Sequence, residues 1–118
     1  MPEFEVTTRR MADAVVLDLR GDLDGTATDQ MQAAQTAVAA ERPGAVVLNF
    51  AELGYMNSTG IALVVGVLAD ARRTGTDVRV FGLSDHYRHI FEITRLADFV
   101  SFHTDEDDAV GQPDAHAT

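Results

Sequence analysis

The sequence predicts a single α/β domain in which helices pack on a mixed, mostly parallel β-sheet. Strand-like and helix-like segments alternate along the chain, which is typical of parallel strands joined by helical crossovers. The 118 residues provide one hydrophobic core of ordinary size, and 46% of them are apolar. We expect the element order β-β-α-β-α-β-α-β within residues 1–110, followed by a disordered acidic tail over residues 111–118.

The first two strands are predicted to form a hairpin that adds an antiparallel edge to the sheet. Apolar and polar residues alternate over Phe4–Arg9, the pattern of a half-exposed strand. A short connection then leads into the apolar stretch Ala14–Leu19. Gly21 is predicted to end this second strand, and Asp22–Gly25 to form a turn-rich loop.

A first helix is predicted from a cap at Thr26 or Thr28 to about Glu41, where Pro43 and Gly44 stop it. Apolar residues recur in it at helical spacing and define a buried stripe: Ala27, Met31, Ala34 and Val38.

The next strand, Ala45–Phe50, is continuously apolar, as expected for a strand covered on both faces. Ala51–Tyr55 is predicted to be a loop, and a second helix to run from Asn57 to about Arg73. Its expected inward stripe is Ile61, Val64, Val65, Leu68 and Ala69. Leu63 and Val67 lie off this stripe, so the helix is either buried nearly all round or exposes an apolar patch to a protein partner. We favour the patch, because full burial is difficult in a single-sheet domain of this size.

The last third contains a short strand over Val78–Phe81 and a helix capped by Ser84 or Asp85. The inner face of that helix is predicted to be Tyr87, Ile90, Phe91 and Thr94. A final strand is predicted over Phe99–Phe102.

The charge of the chain excludes several classes of function. Nineteen acidic residues face nine arginines and no lysine, a net charge of −10, which disfavours nucleic-acid and membrane-surface binding. Asp105–Thr118 carries five of these acids and no arginine, and we interpret it as a solvated acidic end that leaves the folded part near −5. Its first four residues, Asp105–Asp108, suit the start of one helical turn.

Composition and motifs also argue against an enzyme. Without lysine or cysteine the chain has no Schiff-base lysine, thiolate nucleophile or disulfide. No Gly-x-Ser-x-Gly or Gly-x-Gly-x-x-Gly motif is present, and we expect no cofactor. His86 and His89 lack a third metal ligand, and Asp22–Gly25 lacks the later ligands of a calcium loop, so no metal is expected. Charged residues interrupt the N-terminus before any signal-like apolar run forms, so a cytoplasmic protein is expected.

The most informative motif is Asn57-Ser58-Thr59-Gly60 at the predicted start of the second helix. One interpretation is that Asn57 or Ser58 simply caps the helix. The other is that Ser58 is phosphorylated, because free N–H groups and the helix dipole tolerate a phosphate there. The added negative charge would then disrupt a docked partner.

Several segments together resemble the STAS family, specifically the small anti-anti-sigma factors, also called anti-sigma factor antagonists. The resemblance covers roughly residues 4–110. It is carried by segments found in the family's order and spacing: Gly21-Asp22-Leu23-Asp24, Val46-Val47-Leu48-Asn49-Phe50, Asn57-Ser58-Thr59-Gly60, Gly82-Leu83-Ser84 and Ile90-Phe91-Glu92-Ile93-Thr94.

The resemblance implies a STAS-like fold and a protein switch. In such proteins a serine is phosphorylated by an anti-sigma factor that is also a serine kinase, and a PP2C-type phosphatase restores it. The unphosphorylated form sequesters the kinase and frees a sigma factor. Ser58 matches the phosphoacceptor, with Asn57, Thr59 and Gly60 as its neighbours. The predicted partner-binding residues are Gly21, Asp22, Asp24, Met56, Leu63 and Val67.

One departure from the family motif favours an alternative. Asn57 stands where the family usually has Asp, which removes a charge beside the Ser58 hydroxyl. A non-phosphorylated STAS scaffold, self-associating or held in a larger signalling complex, is therefore the second hypothesis.

Overall fold

The computed structural model describes residues 3–111, and within them the predicted element order is confirmed. The strands are β1 (Glu5–Met11), β2 (Ala14–Leu23), β3 (Ala45–Met56), β4 (Asp77–Phe81) and β5 (Ser101–His103). The helices are α1 (Thr28–Glu41), α2 (Ser58–Thr74), α3 (Asp85–Ile93) and α4 (Glu106–Val110), with 3-10 turns at Gly25–Ala27 and Leu96–Phe99. Among the described residues, no helix combines the length and apolarity needed to cross a bilayer.

The five strands form one sheet in the order β1-β2-β3-β4-β5. β1 and β2 pair in antiparallel fashion, and every later neighbouring pair is parallel. The predicted mixed, mostly parallel sheet with an antiparallel edge is therefore confirmed. Because β2 and β3 are parallel, their carboxyl ends meet at one edge of the sheet, where Leu23 pairs with Met56.

Both of these strands are longer than predicted. β2 passes through Gly21 instead of ending there, because Gly21 adopts φ +83° and the ladder shifts register between Gly21 and Asp22. Such an irregularity bends a strand without terminating it. The predicted loop Ala51–Tyr55 is likewise the second half of β3. A side chain at Gly21 would also overlap the chain entering β1, since its Cβ would lie 2.2 Å from the Glu3 carbonyl oxygen.

Two other boundaries differ from the prediction. α1 begins through a 3-10 turn whose cap is Asp24, and neither Thr26 nor Thr28 caps the helix. The last strand is β5, three residues long, and the preceding residues to Phe99 form a 3-10 turn instead of strand.

The main core lies between the sheet and helices α1, α2 and α3. Leu17, Leu48, Val64 and Phe91 are fully buried in it. On α2 the buried residues are Gly60, Val64, Val67, Leu68 and Ala71. The predicted stripe is wrong at Val65 and Ala69, which are exposed, because close packing of Gly60 against β2 fixes a different face of the helix inward.

The opposite face of the sheet is covered by α4. Ala109 is fully buried against a second apolar cluster that includes Val16, Val47 and Phe81. Arg79 donates to the carbonyl oxygens of Ala109 and Val110 at 3.0 and 3.1 Å, which satisfies the end of this short helix.

The interpretation of Asp105–Val110 as a solvated end is therefore wrong. The apolar pair Ala109 and Val110 gives this acidic segment a face to bury, and Arg9 binds Glu106. Nine of the ten net negative charges lie within residues 3–111, so the folded part is not near −5. Of the predicted disordered tail over residues 111–118, all but Gly111 lies outside the described residues.

Candidate functional site

Ser58 is the first residue of α2 and its side chain is exposed. The preceding residue, Asn57, is extended and caps the helix: its Oδ1 accepts from the backbone N–H of Gly60 at 2.8 Å. The Asn57 carbonyl oxygen accepts from Ile61 N at 2.9 Å. Asn57 thus performs the capping that the sequence left open between Asn57 and Ser58, and the Ser58 hydroxyl is not needed for it.

The end of β2 lies directly beside this helix start. The Leu23 carbonyl oxygen accepts from Asn57 N at 3.3 Å. In the 3-10 turn that follows β2, a Cβ built on Gly25 would lie 3.6 Å from Thr59 Cγ2. The structure therefore brings the predicted Asp22–Gly25 segment and the Ser58 motif together.

Two carboxylates from this segment border the site. Asp22 is half-buried and pairs in the ladder with Tyr55, three residues before Ser58. Asp24 Oδ1 accepts from the Thr26 hydroxyl at 2.5 Å and from Thr26 N at 2.9 Å. These hydrogen bonds lower the pKa of Asp24, so its negative charge is maintained at neutral pH. The surroundings of Ser58 are consequently acidic.

Gly60 allows the close contact between α2 and β2. A Cβ built on Gly60 would lie 2.0 Å from the Leu23 carbonyl oxygen and 2.7 Å from its carbonyl carbon. No side chain fits at that distance. The glycine of the motif is therefore required by packing, whatever else it does.

Two predicted partner contacts are buried. Met56 is 3% exposed and Val67 is 4% exposed, both within the main core, so the expected apolar patch at Val67 is wrong. Val67 faces inward because it lies seven residues after Gly60, on the same face of α2. Leu63 is half-buried and packs against the core, and exposed apolar surface on α2 is supplied by Val65 instead.

Two tyrosines at the site were not predicted as site residues. Tyr55 is 52% exposed at the end of β3. Tyr87, predicted only as part of the inner face of α3, has its hydroxyl oxygen 2.9 Å from Met56 N, from which it accepts a hydrogen bond. A tyrosine hydroxyl inside a protein generally needs a hydrogen-bond partner, so the sequence indicates that Tyr87 has one. The sequence does not show that this partner is the Met56 N–H.

Replacing Tyr87 by Phe is expected to cost about 1.5 kcal/mol of unfolding free energy, because the Met56 N–H loses its acceptor in a partly buried position. Amide hydrogen exchange at Met56 and Asn57 should accelerate in the same variant. Tyr55→Phe is the matched control and should change stability by less than about 0.5 kcal/mol, since Tyr55 is exposed. Equal exchange rates at Met56 in the wild type and Tyr87→Phe would contradict this role for the hydroxyl.

The described residues contain no group of three or more His, Asp or Glu side chains placed to hold a metal ion. His86 and His89 are exposed on α3, and His89 lies 4.0 Å from Glu92. The site is thus a surface of hydroxyl, carboxylate and aromatic groups around a helix start.

The sequence profile of the STAS domain matches residues 5–109. The chain belongs to the STAS domain family. This match covers all five strands and includes both β2 and the Ser58 motif. The family resemblance seen in the sequence is therefore confirmed.

Among relatives of this STAS domain, an anti-sigma-B factor antagonist from Listeria monocytogenes is 28% identical over 91 residues, which are 77% of this chain and 80% of that protein. The solved structure of the anti-sigma factor antagonist SpoIIAA in its unphosphorylated form has a TM-score of 0.69 and 23% identity, covering 88% of this chain and 90% of the other. The phosphorylated form of SpoIIAA, a Bacillus cell fate determinant, has a TM-score of 0.67 and 23% identity, covering 87% and 93%. These structures share the fold of the STAS domain described here.

Proposed function

We propose that this STAS domain is an anti-sigma factor antagonist whose binding is controlled by phosphorylation of Ser58. In its unphosphorylated form it sequesters an anti-sigma factor and thereby frees a sigma factor. The observation that carries the proposal is the exposed Ser58 at the first position of α2, with the capping task given to Asn57. The names of its sequence relatives support the same role.

The partner surface we propose is the ring of exposed and half-buried groups around Ser58. It comprises Asp22 and Asp24 at the end of β2, Tyr55 at the end of β3, and Thr59 beside the serine. A protein docking there must present hydrogen-bond donors to the two carboxylates and, at Ser58 itself, a surface that fits an uncharged hydroxyl. Gly21 and Gly60 serve this surface indirectly, by allowing the chain to adopt the bend and the close packing that position it.

Phosphorylation would act on this surface through charge. A phosphoseryl group carries about −1.5 to −2 charges at neutral pH, next to carboxylates that are already ionised. The start of α2 tolerates the group because its N–H donors and dipole favour an anion. The docked partner would lose complementarity while the fold of the domain is retained.

The proposed partners follow from this mechanism. An anti-sigma factor with serine kinase activity supplies the phosphate, and a PP2C-type phosphatase removes it. The domain itself acts by binding and performs no catalysis or cofactor chemistry. We expect it to act in the cytoplasm, where a sigma factor and its regulators meet.

Asn57, in place of the usual Asp, is compatible with the capped helix start on which this proposal rests. Its amide oxygen caps α2 as a carboxylate would, since Asn and Asp are comparable N-caps. It leaves one negative charge fewer beside the Ser58 hydroxyl. The cognate kinase should therefore tolerate a neutral residue before the phosphorylated serine.

The direct test is to incubate the full chain with the anti-sigma kinase of its host and ATP, then to map phosphate by mass spectrometry. We expect a single phosphate on Ser58, absent in Ser58→Ala and retained in Thr59→Ala. An Asn57→Asp variant, which keeps the cap and adds the missing charge, shows whether the kinase reads that position. Phosphate on another residue, or none, would overturn the switch.

Binding should follow the charge at Ser58. Ser58→Asp is expected to weaken the complex with the anti-sigma factor by about 30-fold, because a charged carboxylate would replace the neutral hydroxyl at the contact and would lose its hydration there without a partner shaped to receive it. Ser58→Ala should bind with unchanged affinity and stay bound when ATP is added. Calorimetric titration of the three proteins measures both effects, and equal affinity for Ser58→Asp and the wild type would contradict the proposal.

A second candidate function is a non-phosphorylated STAS scaffold that assembles with itself or within a signalling complex. Exposed apolar side chains outside the Ser58 site favour it: Ile93 is 65% exposed and Phe99 is 48% exposed. Light scattering distinguishes the two, since a scaffold should be oligomeric and Ile93→Ser or Phe99→Ser should reduce its mass. A protein that is monomeric alone and with its partners would exclude this function.

A further inference from the structure

We propose that the cleft between α1 and the C-terminal half of α2 binds a small aliphatic monocarboxylate, with its hydrocarbon chain inside the cleft and its carboxylate at the mouth. This site is separate from Ser58 and concerns a ligand of a different kind from the protein partners proposed above.

The interior of the cleft is apolar. Leu17 of β2 and Val46 of β3 form its floor, and Val38, Val67 and Ala71 line its walls. Its volume is about 520 Å³. That volume falls in the range of small-molecule sites, roughly 300–1,000 Å³, and such sites are lined mainly by apolar groups.

The cleft exists because short side chains lie where the two helices face each other. α1 contributes Ala39 and α2 contributes Ala71 at the lining, and neither reaches across the gap. Leucine or phenylalanine at these positions would have filled it. The space follows from the alanine-rich sequence of α1.

The mouth of the cleft is net positive, unlike the chain as a whole. Its charged lining residues are Arg42, Arg73 and Asp70, in a protein of net charge −10. Both carboxylate oxygens of Asp70 are occupied: Oδ2 accepts from Gln35 Nε2 at 2.7 Å and Oδ1 from the Arg73 guanidinium at 2.8 Å. Within residues 3–111, Arg42 forms no ion pair, so its guanidinium is available to an anion.

The backbone at Arg42 adopts an unfavourable conformation. Arg42 ends α1 in the left-handed conformation, at φ +48° and ψ +54°. Glycine is favoured at such a position, and a residue with a Cβ occupies it at a cost in free energy. Ala12 and Arg95 also adopt positive φ, so this backbone conformation assigns no role by itself. It is the position of the Arg42 guanidinium at the mouth of the cleft that points to an anion.

The apolar interior and the positive mouth of the cleft together define the chemistry of the ligand. A planar guanidinium pairs with a carboxylate through charge-assisted hydrogen bonds. Half-buried Val38 offers contact to hydrocarbon, and Leu17, Val46 and Val67 are buried beneath the surface of the cleft, so none of these residues gives a partner to further polar groups. A monocarboxylate with an unbranched or lightly branched aliphatic body satisfies both.

The test is a calorimetric titration of the full chain with decanoate, octanoate and decylammonium. We expect saturable binding of one decanoate per chain, and affinity about 16-fold lower for octanoate, since each CH₂ contributes about fourfold. Decylammonium has the same chain and the opposite charge, and it should not bind measurably. Equal binding of decylammonium and decanoate, or no heat with decanoate, would overturn the proposal.

Three variants locate the ligand. Ala39→Leu enlarges a side chain that lines the cleft and should weaken decanoate binding at least tenfold, whereas Ala37→Leu, which is equally exposed but outside the lining, should leave it unchanged. Arg42→Gly should weaken binding about fivefold and yet not lower the melting temperature, because glycine relieves the left-handed backbone. Unchanged affinity in Ala39→Leu would refute the assigned cleft. Ser58→Ala should bind decanoate like the wild type, so this outcome is independent of the phosphorylation test.

Discussion

Replacing Gly60 by alanine is expected to lower the free energy of unfolding by about 3 kcal/mol, the upper part of the usual range for overpacking a core. The added methyl group would overlap the backbone of Leu23, 2.0 Å from its carbonyl oxygen. A backbone atom cannot move aside as a side chain can. The start of α2 must therefore shift away from β2, which breaks the 3.3 Å hydrogen bond from Asn57 N to the same carbonyl.

Gly60→Ala should also weaken binding of the partner. A shifted helix start moves Ser58 relative to Asp24, so we expect Gly60→Ala to lose affinity for the anti-sigma factor even where it remains folded. Chemical denaturation measures the stability and calorimetry the affinity.

Gly66 provides the matched control on the same helix. A Cβ there would lie 3.8 Å from its nearest neighbour, Gln35 Nε2, an ordinary contact. Gly66→Ala should therefore stabilise the protein by up to about 1 kcal/mol, since alanine is the better helix former. A similar loss of stability in both variants would show that the contact with Leu23 is not the cause of the first result.

Asp18 is the site of the second large effect: Asp18→Ala is expected to cost about 3 kcal/mol. Asp18 is 5% exposed and accepts from Arg9 Nε at 2.6 Å, from Arg9 NH2 at 2.9 Å and from Asn49 Nδ2 at 2.8 Å. Removing the carboxylate leaves the Asn49 amide without its partner in a partly buried place and leaves the Arg9 guanidinium with Glu106 alone. Breaking a buried pair costs about 3–5 kcal/mol, and the lower end applies because Arg9 is itself partly exposed.

The same pair predicts a pH dependence. The hydrogen bond from Arg9 is the largest cause that lowers the pKa of Asp18 below its ordinary value of 3.8, with smaller contributions from Asn49 and Thr7. The stabilisation is therefore complete above the pKa of the unfolded chain and is lost as the pH falls through the lower pKa of the folded one. The difference in unfolding free energy between the wild type and Asp18→Ala should be constant from pH 5 to 7 and shrink below about pH 4.

Asp13→Ala is the control for this experiment. Its carboxylate is 84% exposed and lies 3.8 Å from Arg10, so its removal should cost less than about 0.5 kcal/mol. Should Asp18→Ala show the same difference at pH 3 as at pH 7, the ion pair would not be the origin of the lost stability.

Much of the fold could be predicted because local pattern and tertiary structure agree. The apolar run Ala45–Phe50 is the buried part of β3, and the alternation before Met11 is an edge strand. The prediction was wrong where a long-range contact overrides local chemistry. A glycine such as Gly21 is expected to end a strand. β2 nevertheless continues to Leu23, because it remains paired with β3.

The candidate site, like the fold, could be predicted only in part. The position of Ser58 at a helix start could be predicted from the motif, whereas its grouping with Asp24 was implied by the family resemblance. The inward face of α2 could not, because the periodicity of an almost wholly apolar helix fits several rotations, and the contact of Gly60 with Leu23 selects one of them. The bond from Met56 N to Tyr87 joins residues 31 apart, beyond any local pattern.

The two longest strands have a mechanical consequence for signalling. β1 pairs with β2 only as far as Arg20, and β4 pairs with β3 only as far as Asn49. Beyond those points Gly21–Leu23 and Leu53–Met56 pair with each other alone, as a two-stranded extension of the sheet. Packing takes the place of a third strand in this extension, because Leu23 and Met56 are buried and the Met56 N–H is bonded to Tyr87 of α3. A phosphate on Ser58, as proposed above, would therefore be added at the end of a packed extension, and the five-stranded body beneath it would not have to move.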